Sequence, residues 1–191
     1  CPRCAMPSSS GQICGRCIKR APNFDATRSA LRYDFPTDRL ILALKHRNRL
    51  PIAAFLARKL ATVLESRSRS SATINLVIPM PLHEQRLTLR GFNQSVEIGQ
   101  RVARQLALPF SFQTAWRLRD TPSQADLPLA RRRANVRDAF ACNALLAGKS
   151  VAVVDDVMTS GATLDALAGT LKHAGAVHVE NWVVARTWPG E

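Results

Sequence analysis

The most constraining feature of the chain is the string at residues 151–164, VAVVDDVMTSGATL: an apolar run, two adjacent carboxylates, a turn of small hydroxylated residues, then the start of a helical pattern. An apolar run of this kind predicts a strand buried on both faces, as in a parallel sheet covered by helices. The C-terminal end of such a strand is a fixed platform, the usual ligand position in open α/β sheets. Asp155 and Asp156 are expected there, where carboxylates accept hydrogen bonds from vicinal hydroxyls such as those of a ribose. Thr159, Ser160, Gly161, Ala162 and Thr163 follow, and side chains this small let backbone N–H groups close on a phosphate at a helix N-terminus. Taken singly, Asp-Asp is a polar strand exit and Ser160 or Thr163 an ordinary N-cap. The combination is what favours a sugar phosphate. No Gly-Lys-[Ser/Thr] follows, so the loop is not of the Walker type, and there is no Gly-x-Gly-x-x-Gly fingerprint.

The remaining pattern agrees with an α/β fold. Residues 40–46 and 52–65 have helical periodicity, with Ile52, Phe55, Leu56, Leu60, Val63 and Leu64 on one stripe. Residues 66–73 are a polar break, and residues 74–79 (INLVIP) read as a buried strand. Residues 93–106 predict an amphipathic helix with Val96, Gly99, Val102, Ala103 and Leu106 inward. Residues 109–120 mix strand and loop signals, and residues 121–138 are arginine-rich with little to offer a core. The run 150–154 predicts a strand, 163–174 a helix stopped by Gly175, and 179–185 another strand. Strand, helix and strand in that order argue a parallel sheet with crossover helices. At 191 residues there is room for one sizeable core and a small appendage, and no internal repeat is present.

Charge narrows the partners. There are 27 Lys+Arg against 14 Asp+Glu, a formal +13, and only Lys19, Lys45, Lys59, Lys149 and Lys172 are lysines. Such a field attracts phosphates, whether on a nucleotide, a sugar phosphate or nucleic acid; an arginine-favouring genome composition is the other source of the excess. No apolar run approaches the ~20 residues that span a bilayer, so membrane insertion is not expected. The chain starts at Cys1 without a methionine, as expected of a trimmed, processed or partial N-terminus, with a removed leader as one alternative. A cytoplasmic location is expected.

Four of the five cysteines fall in the first 17 residues, as Cys1-Pro-Arg-Cys4 and Cys14-Gly-Arg-Cys17. Two Cys-x-x-Cys pairs separated by nine residues can set four thiolates tetrahedrally around Zn2+, with Pro2, Pro7, Gly11 and Gly15 supplying turns. Two disulfides or a redox Cys-x-x-Cys are the alternatives. So short a segment has almost no core, so a metal would supply most of its folding free energy. Residues 21–25 read as a linker and Cys142 as a core residue. His46, His83, His173 and His178 show no metal-ligand spacing.

The string at 151–164 resembles the motif by which type I phosphoribosyltransferases bind phosphoribosyl diphosphate (PRPP): four apolar residues, two acidic ones and a Thr-Thr-Gly-x-Thr-like turn, with Ser160 keeping the hydroxyl of the second Thr. Residues 77–82 (VIPMPL), 90–94 (RGFNQ), 121–124 (TPSQ) and 132–136 (RRANV), with Ala139-Phe140, recur in this order in the ComF family, and the match covers nearly all of the chain. That family pairs a four-cysteine segment with a phosphoribosyltransferase-like domain and includes proteins linked to natural competence and to bacterial use of DNA as a nutrient. The resemblance implies a zinc ribbon over residues 1–25, with Cys1, Cys4, Cys14 and Cys17 on the metal, and a type I phosphoribosyltransferase-like domain over 26–191, a parallel sheet with flanking helices. It implies that Asp155 and Asp156 face the ribose hydroxyls and that Val157, Met158 and residues 159–163 complete the PRPP loop, with Mg2+ carried mainly by PRPP itself. Pro81, Leu82, Arg90 and Gly91 occupy the place of the pyrophosphate loop. Arg119, Gln124, Arg132 and Asn135 fall in the place of a mobile loop that closes over PRPP, where arginines suit diphosphate oxygens. The same arginines read alone are a solvated surface or a track for a nucleic-acid backbone. Residues 45–49 (KHRNR) depart from the family pattern at His46 and in lacking a nearby glycine, and no site role is assigned to them.

Two functions follow. One is a phosphoribosyltransferase acting on a base or amine, for which no acceptor-recognition segment is evident. The other is a binding module in which the PRPP pocket is a sensor or remnant, and the zinc segment and basic surface bind single-stranded DNA or DNA-uptake proteins. One Tyr, three Trp and seven Phe are few for extensive base stacking. An oligomer is compatible with either.

Overall fold

The computed structural model describes residues 1–47, 49–66, 73–120, 136, 138–143 and 145–188. Its centre is a four-stranded sheet of order β1-β6-β5-β2, built from β1 (Ala26–Arg32), β2 (Leu76–Pro79), β5 (Ser150–Met158) and β6 (His178–Arg186). All its pairings are parallel. A separate antiparallel ribbon joins β3 (Ala115–Arg117) to β4 (Phe140–Cys142). The described helices are α1 (Gly15–Lys19), α2 (Thr37–Arg47), α3 (Leu50–Glu65), α4 (Glu84–Arg90), α5 (Gln94–Gln105) and α6 (Ala162–His173). The expected parallel α/β architecture is therefore present.

Alternation along β5 divides the core. Val151 and Val153 pack with α6, with β4 and with Cys4, Cys17 and Phe24. Ala152 and Val154 face the other way, among Leu56, Leu60, Ile98 and Trp182. A strand covered on both faces needs apolar residues at every position, which is why 151–154 shows no polar alternation. Full burial of each Leu or Ile in these layers contributes roughly 1.5–3 kcal/mol. Gly99 lets α5 press close: a Cβ there would lie 3.0 Å from Phe110 Cε2 and 3.4 Å from Val154 Cβ.

Several boundaries differ from the sequence reading. β5 does not end at Val154 but runs through Asp155 and Asp156 to Met158, because β6 continues to pair with it as far as Arg186. The buried stripe of α3 is Ala53, Leu56, Ala57, Leu60, Ala61 and Leu64, while Phe55 is exposed and Ile52 and Val63 are half-buried. Alanines let this helix approach its neighbours, so the contact face is rotated away from the largest side chains. In α5 the buried face includes Gln94, Ser95 and Ile98, while Val96 is half-buried. β1 was not expected from ATRSALR; it is an edge strand, paired with β6 only, and Arg28 Nε reaches Glu180 Oε1 at 3.3 Å. Residues 21–25 are pinned to the domain: the Asn23 N–H donates to Asp165 Oδ1 at 2.7 Å, and the Val179 N–H donates to Asp25 Oδ2 at 2.8 Å. Cys142, in β4, is half-buried against the core. Among the described residues no helix is long and apolar enough to cross a membrane.

Candidate functional site

The site arises where β2 stops and β5 does not. The last β2 pair is Pro79 with Val154, followed by a Met80 N–H bond to the Val154 carbonyl at 2.8 Å. Beyond that point the chain leaves the sheet at Pro81, and β5 is held from the β6 side alone, Asp155 opposite Val183 and Val157 opposite Ala185. The exposed flank of β5 opens into a cavity of about 760 Å³. Residues 155–164 line it, with Pro81, Leu82 and Arg90 from the second predicted loop. Gly91 is not in the lining; it is the left-handed C-cap of α4, at φ 79°.

The two carboxylates are buried and differently partnered. Asp155 Oδ1 accepts from Ser95 Oγ at 3.1 Å and from the Asp156 N–H at 2.9 Å. Asp156 Oδ1 accepts from the Val157 N–H at 2.8 Å, and its Oδ2 is 2.6 Å from Lys45 Nζ. Burial and the adjacent Asp156 carboxylate push Asp155 up to about 7, outweighing the pull of Lys45, the Asp156 N–H and Ser95. Burial also works against the Lys45 ammonium, but Asp156 and Asp155 overcome it and hold Lys45 above the ordinary lysine value. Lys45, assigned no role from sequence, is thus the cation of the acidic pair, and His46 beside it lines the same cavity.

The turn after β5 is shaped by Gly161, the N-cap of α6, at φ 83°. A Cβ there would fall 2.6 Å from Met158 Cε, so conformation and space both require glycine. No side chain caps α6 at Gly161, though Ser160 Oγ accepts from the Ala162 N–H at 3.3 Å. The helix therefore presents its N-terminal end to the cavity, and the alternative in which Ser160 or Thr163 is an ordinary N-cap reduces to this one bond.

Across the cavity the RGFNQ string supplies its own scaffold. Asn93 caps α5 by accepting from the Ser95 N–H at 2.9 Å and ties down the neighbouring loop by donating to the Met80 carbonyl at 3.0 Å. Gln94 Oε1 accepts from Arg90 Nη1 at 2.5 Å. Burial lowers the Arg90 guanidinium, with Asp156 opposing and Arg86 reinforcing the effect. Arg117, on β3, also lines the cavity and stacks over Phe140 at 5.6 Å. Arg119 is exposed and outside the lining. Gln124, Arg132 and Asn135 lie outside the described residues. Sequence reasoning did not single out Lys45 or Ser95 as site residues, a basic cluster at a helix end and the Asn-x-Ser start of α5 being the only local signals. Arg117 reads in sequence as the first arginine of the segment 117–137 in the place of the mobile loop, and it lines the cavity from β3.

At the N-terminus the Sγ atoms of Cys1, Cys4, Cys14 and Cys17 all lie within 4.8 Å of one another, and all four thiols are free. Cys4 and Cys14 sulfurs are 3.7 Å apart. Tetrahedral zinc with bonds of about 2.3 Å separates its sulfurs by about 3.8 Å, so the donor set fits a metal ion and the spacing is too long for a disulfide. The Cys14 N–H lies 3.4 Å from Cys1 Sγ, the kind of bond that stabilises a thiolate ligand. Burial, with Cys4 and Cys14 beside it, pushes the Cys17 thiol up to about 12.

Residues 93–187 match the family described as Phosphoribosyl transferase domain. Over 190 residues the chain is 34% identical to the DNA utilization protein YhgH of Salmonella typhimurium, spanning 98% of this chain and 84% of that one. It is 32% identical over 183 residues to Competence protein F of Haemophilus influenzae, spanning 92% of this chain and 79% of that one. Among solved structures it is similar to the allosteric regulatory enzyme of purine biosynthesis at 21% identity and a TM-score of 0.45, covering 69% of this chain and 25% of that one. The likeness to the two curated relatives spans nearly all of the chain, which belongs to the ComF family.

Proposed function

We propose that this protein binds PRPP in the cavity beside β5 and acts, as a phosphoribosyltransferase-like protein, in DNA uptake, DNA use or nucleotide salvage. The observation that carries the reading is one cavity joining the buried pair Asp155–Asp156, the capless start of α6 and a facing wall of Lys45, Arg90 and Arg117. Each part matches a part of one ligand. The ribose hydroxyls pair with the carboxylates, the 5-phosphate with the turn at residues 159–163, and the diphosphate with the arginines and the turn at Pro81 and Leu82. The relatives' names, DNA utilization and competence, supply the setting.

Asp156 Oδ2 is already committed to Lys45, so the protein offers no dedicated oxygen cage for Mg2+. Mg2+ would arrive on the diphosphate, with Asp155 and Asp156 nearby, and would supply charge neutralisation when bound. In transfer to a base or amine, the bond from ribose C1 to the diphosphate oxygen breaks, a bond from C1 to the acceptor nitrogen forms, and the proton of that nitrogen leaves to solvent or to the departing diphosphate. The chain's part is to hold the ribose by its hydroxyls and to stabilise charge on the departing diphosphate through Arg90 and Arg117. Zn2+ on the four cysteines holds the N-terminal segment, and cysteines not paired in disulfides suit a cytoplasmic setting.

Calorimetry of the zinc-loaded protein with PRPP and Mg2+, followed by pyrophosphate release with a panel of bases, tests the reading. A folded protein that takes up no PRPP refutes it. The formal charge of +13 favours a second activity, binding of single-stranded DNA by the basic surface. That affinity would fall steeply with salt and be indifferent to PRPP.

A further inference from the structure

Arg186, at the end of β6, is 1% exposed, and among the described residues no carboxylate lies within ion-pair reach of it. Its partners are main-chain oxygens from two distant parts of the chain, together with the carbonyl and hydroxyl of the adjacent Thr187. Nε donates to the carbonyl of Cys4 at 2.9 Å. Nη1 donates to the carbonyl of Met158 at 2.7 Å and also reaches the carbonyls of Thr159 and Thr187. The Thr187 hydroxyl closes the group, 3.4 Å from the Met158 carbonyl. A single planar fork thus bonds a residue of the cysteine cluster, the last residue of β5 and the first residue of the turn after it. Because a peptide is planar, holding the Thr159 carbonyl also fixes the direction of the Ser160 N–H. A buried cation needs more than carbonyl dipoles to offset its desolvation. Four thiolates around a divalent metal carry a net charge of about −2, and Cys4 places that charge beside Arg186.

We propose that Arg186 is a positioning residue that couples the four-cysteine metal centre to the phosphate turn, so that metal and ribose-phosphate ligand each tighten the binding of the other. The inference rests on the proposed zinc and PRPP sites and adds the link between them. With metal bound, the short cysteine segment is rigid, the Cys4 carbonyl is fixed, and the guanidinium holds Met158 and Thr159 in place. When metal leaves, the segment keeps the packing of Cys4 and Cys17 against the core but loses the cross-links that fix the Cys4 carbonyl, and the anchor of the turn loosens. Linkage makes the effect reciprocal: the factor by which metal raises ligand affinity is the factor by which ligand raises metal affinity.

The test is zinc extraction from the full chain by a chromophoric chelator, with and without saturating ribose 5-phosphate, which avoids the zinc affinity of a diphosphate. Calorimetry in the same buffer shows directly whether ribose 5-phosphate and PRPP bind. In the wild type the ligand should raise zinc affinity about fivefold or more. Arg186→Lys keeps the charge but loses the fork, and should bind zinc and ligand singly with the factor reduced to near one. Thr187→Val, a milder change at the same group, should reduce the factor partway and serves if Arg186→Lys does not fold. Zinc affinity unchanged by a ligand that calorimetry shows bound overturns the coupling. An undiminished factor in a folded Arg186→Lys or Thr187→Val variant overturns the role of Arg186. Absence of ligand binding overturns the PRPP reading, and the coupling with it.

Discussion

Replacing Asp155 with Asn should stabilise the ligand-free protein at neutral and alkaline pH while weakening its hold on PRPP. Asp155 Oδ1 accepts from Ser95 Oγ and the Asp156 N–H, and an asparagine oxygen can accept both. The change therefore acts on charge. Burial beside Asp156 raises the Asp155 carboxyl from 3.8 to about 7. A carboxyl raised on folding keeps its proton in the native state after the unfolded chain has released it. Stability therefore falls as pH rises from about 4 to about 7 and is level beyond. Each tenfold change in proton affinity is worth about 1.4 kcal/mol, so the full effect is roughly 4 kcal/mol. Asparagine never charges, and the stability gap between variant and wild type should open by that order between pH 4 and pH 8, whatever constant offset the amide adds. Urea unfolding across this range reads the gap, and its change with pH cancels the offset. Losing a charged acceptor for a ribose hydroxyl should lower PRPP affinity about tenfold to a hundredfold. A gap that is flat, or that narrows as pH rises, refutes the reasoning.

Lys45→Met removes the cation of a largely buried pair and should lower stability by about 1–2 kcal/mol, less than for a fully enclosed pair because the cavity is open. It should also move the Asp155 titration further up, visible in the carboxyl resonances by NMR, since Lys45 is the cation that opposes the rise. Gly161→Ala should destabilise by about 1–3 kcal/mol, from a left-handed backbone and a crowded Met158, and should impair phosphate binding in calorimetry. Elemental analysis of freshly isolated, reduced protein should find about one zinc per chain, and Cys4→Ser should lose it together with a cooperative part of the melting transition.

Much of the site could be read along the chain because its parts are contiguous. The acidic pair, the turn and the helix start occupy residues 155–163 without interruption, and RGFNQ contains both the arginine and the Gln94 that holds it, with Asn93 between them tying down the neighbouring loop. The cysteine spacing needed nothing beyond two short turns. Lys45 was legible only as one of several cations at a helix end, and the departures at His46 and the absent glycine pointed away from a role.

Fold class, the strand beneath the site, the phosphate turn and the four thiols were set by local pattern, since each depends on neighbours a few residues apart. Three things were decided only by tertiary contacts. β5 runs past its acidic pair because β6 pairs with it to Arg186, a property of the partner strand and invisible in residues 155–158. Lys45 reaches Asp156 because Ile41 and Leu44 of α2 are buried in the same core layer as Ala152 and Val154, and the roughly equal polarity of Lys45, His46 and Arg47 gives no hint of which one is turned inward. Arg186 reads in sequence as a polar strand terminus; it is buried because the cysteine segment and the end of β5 both close on it, offering carbonyl oxygens that every sequence possesses. Backbone acceptors carry no residue identity, so a side chain that depends on them announces nothing until the chain has folded around it.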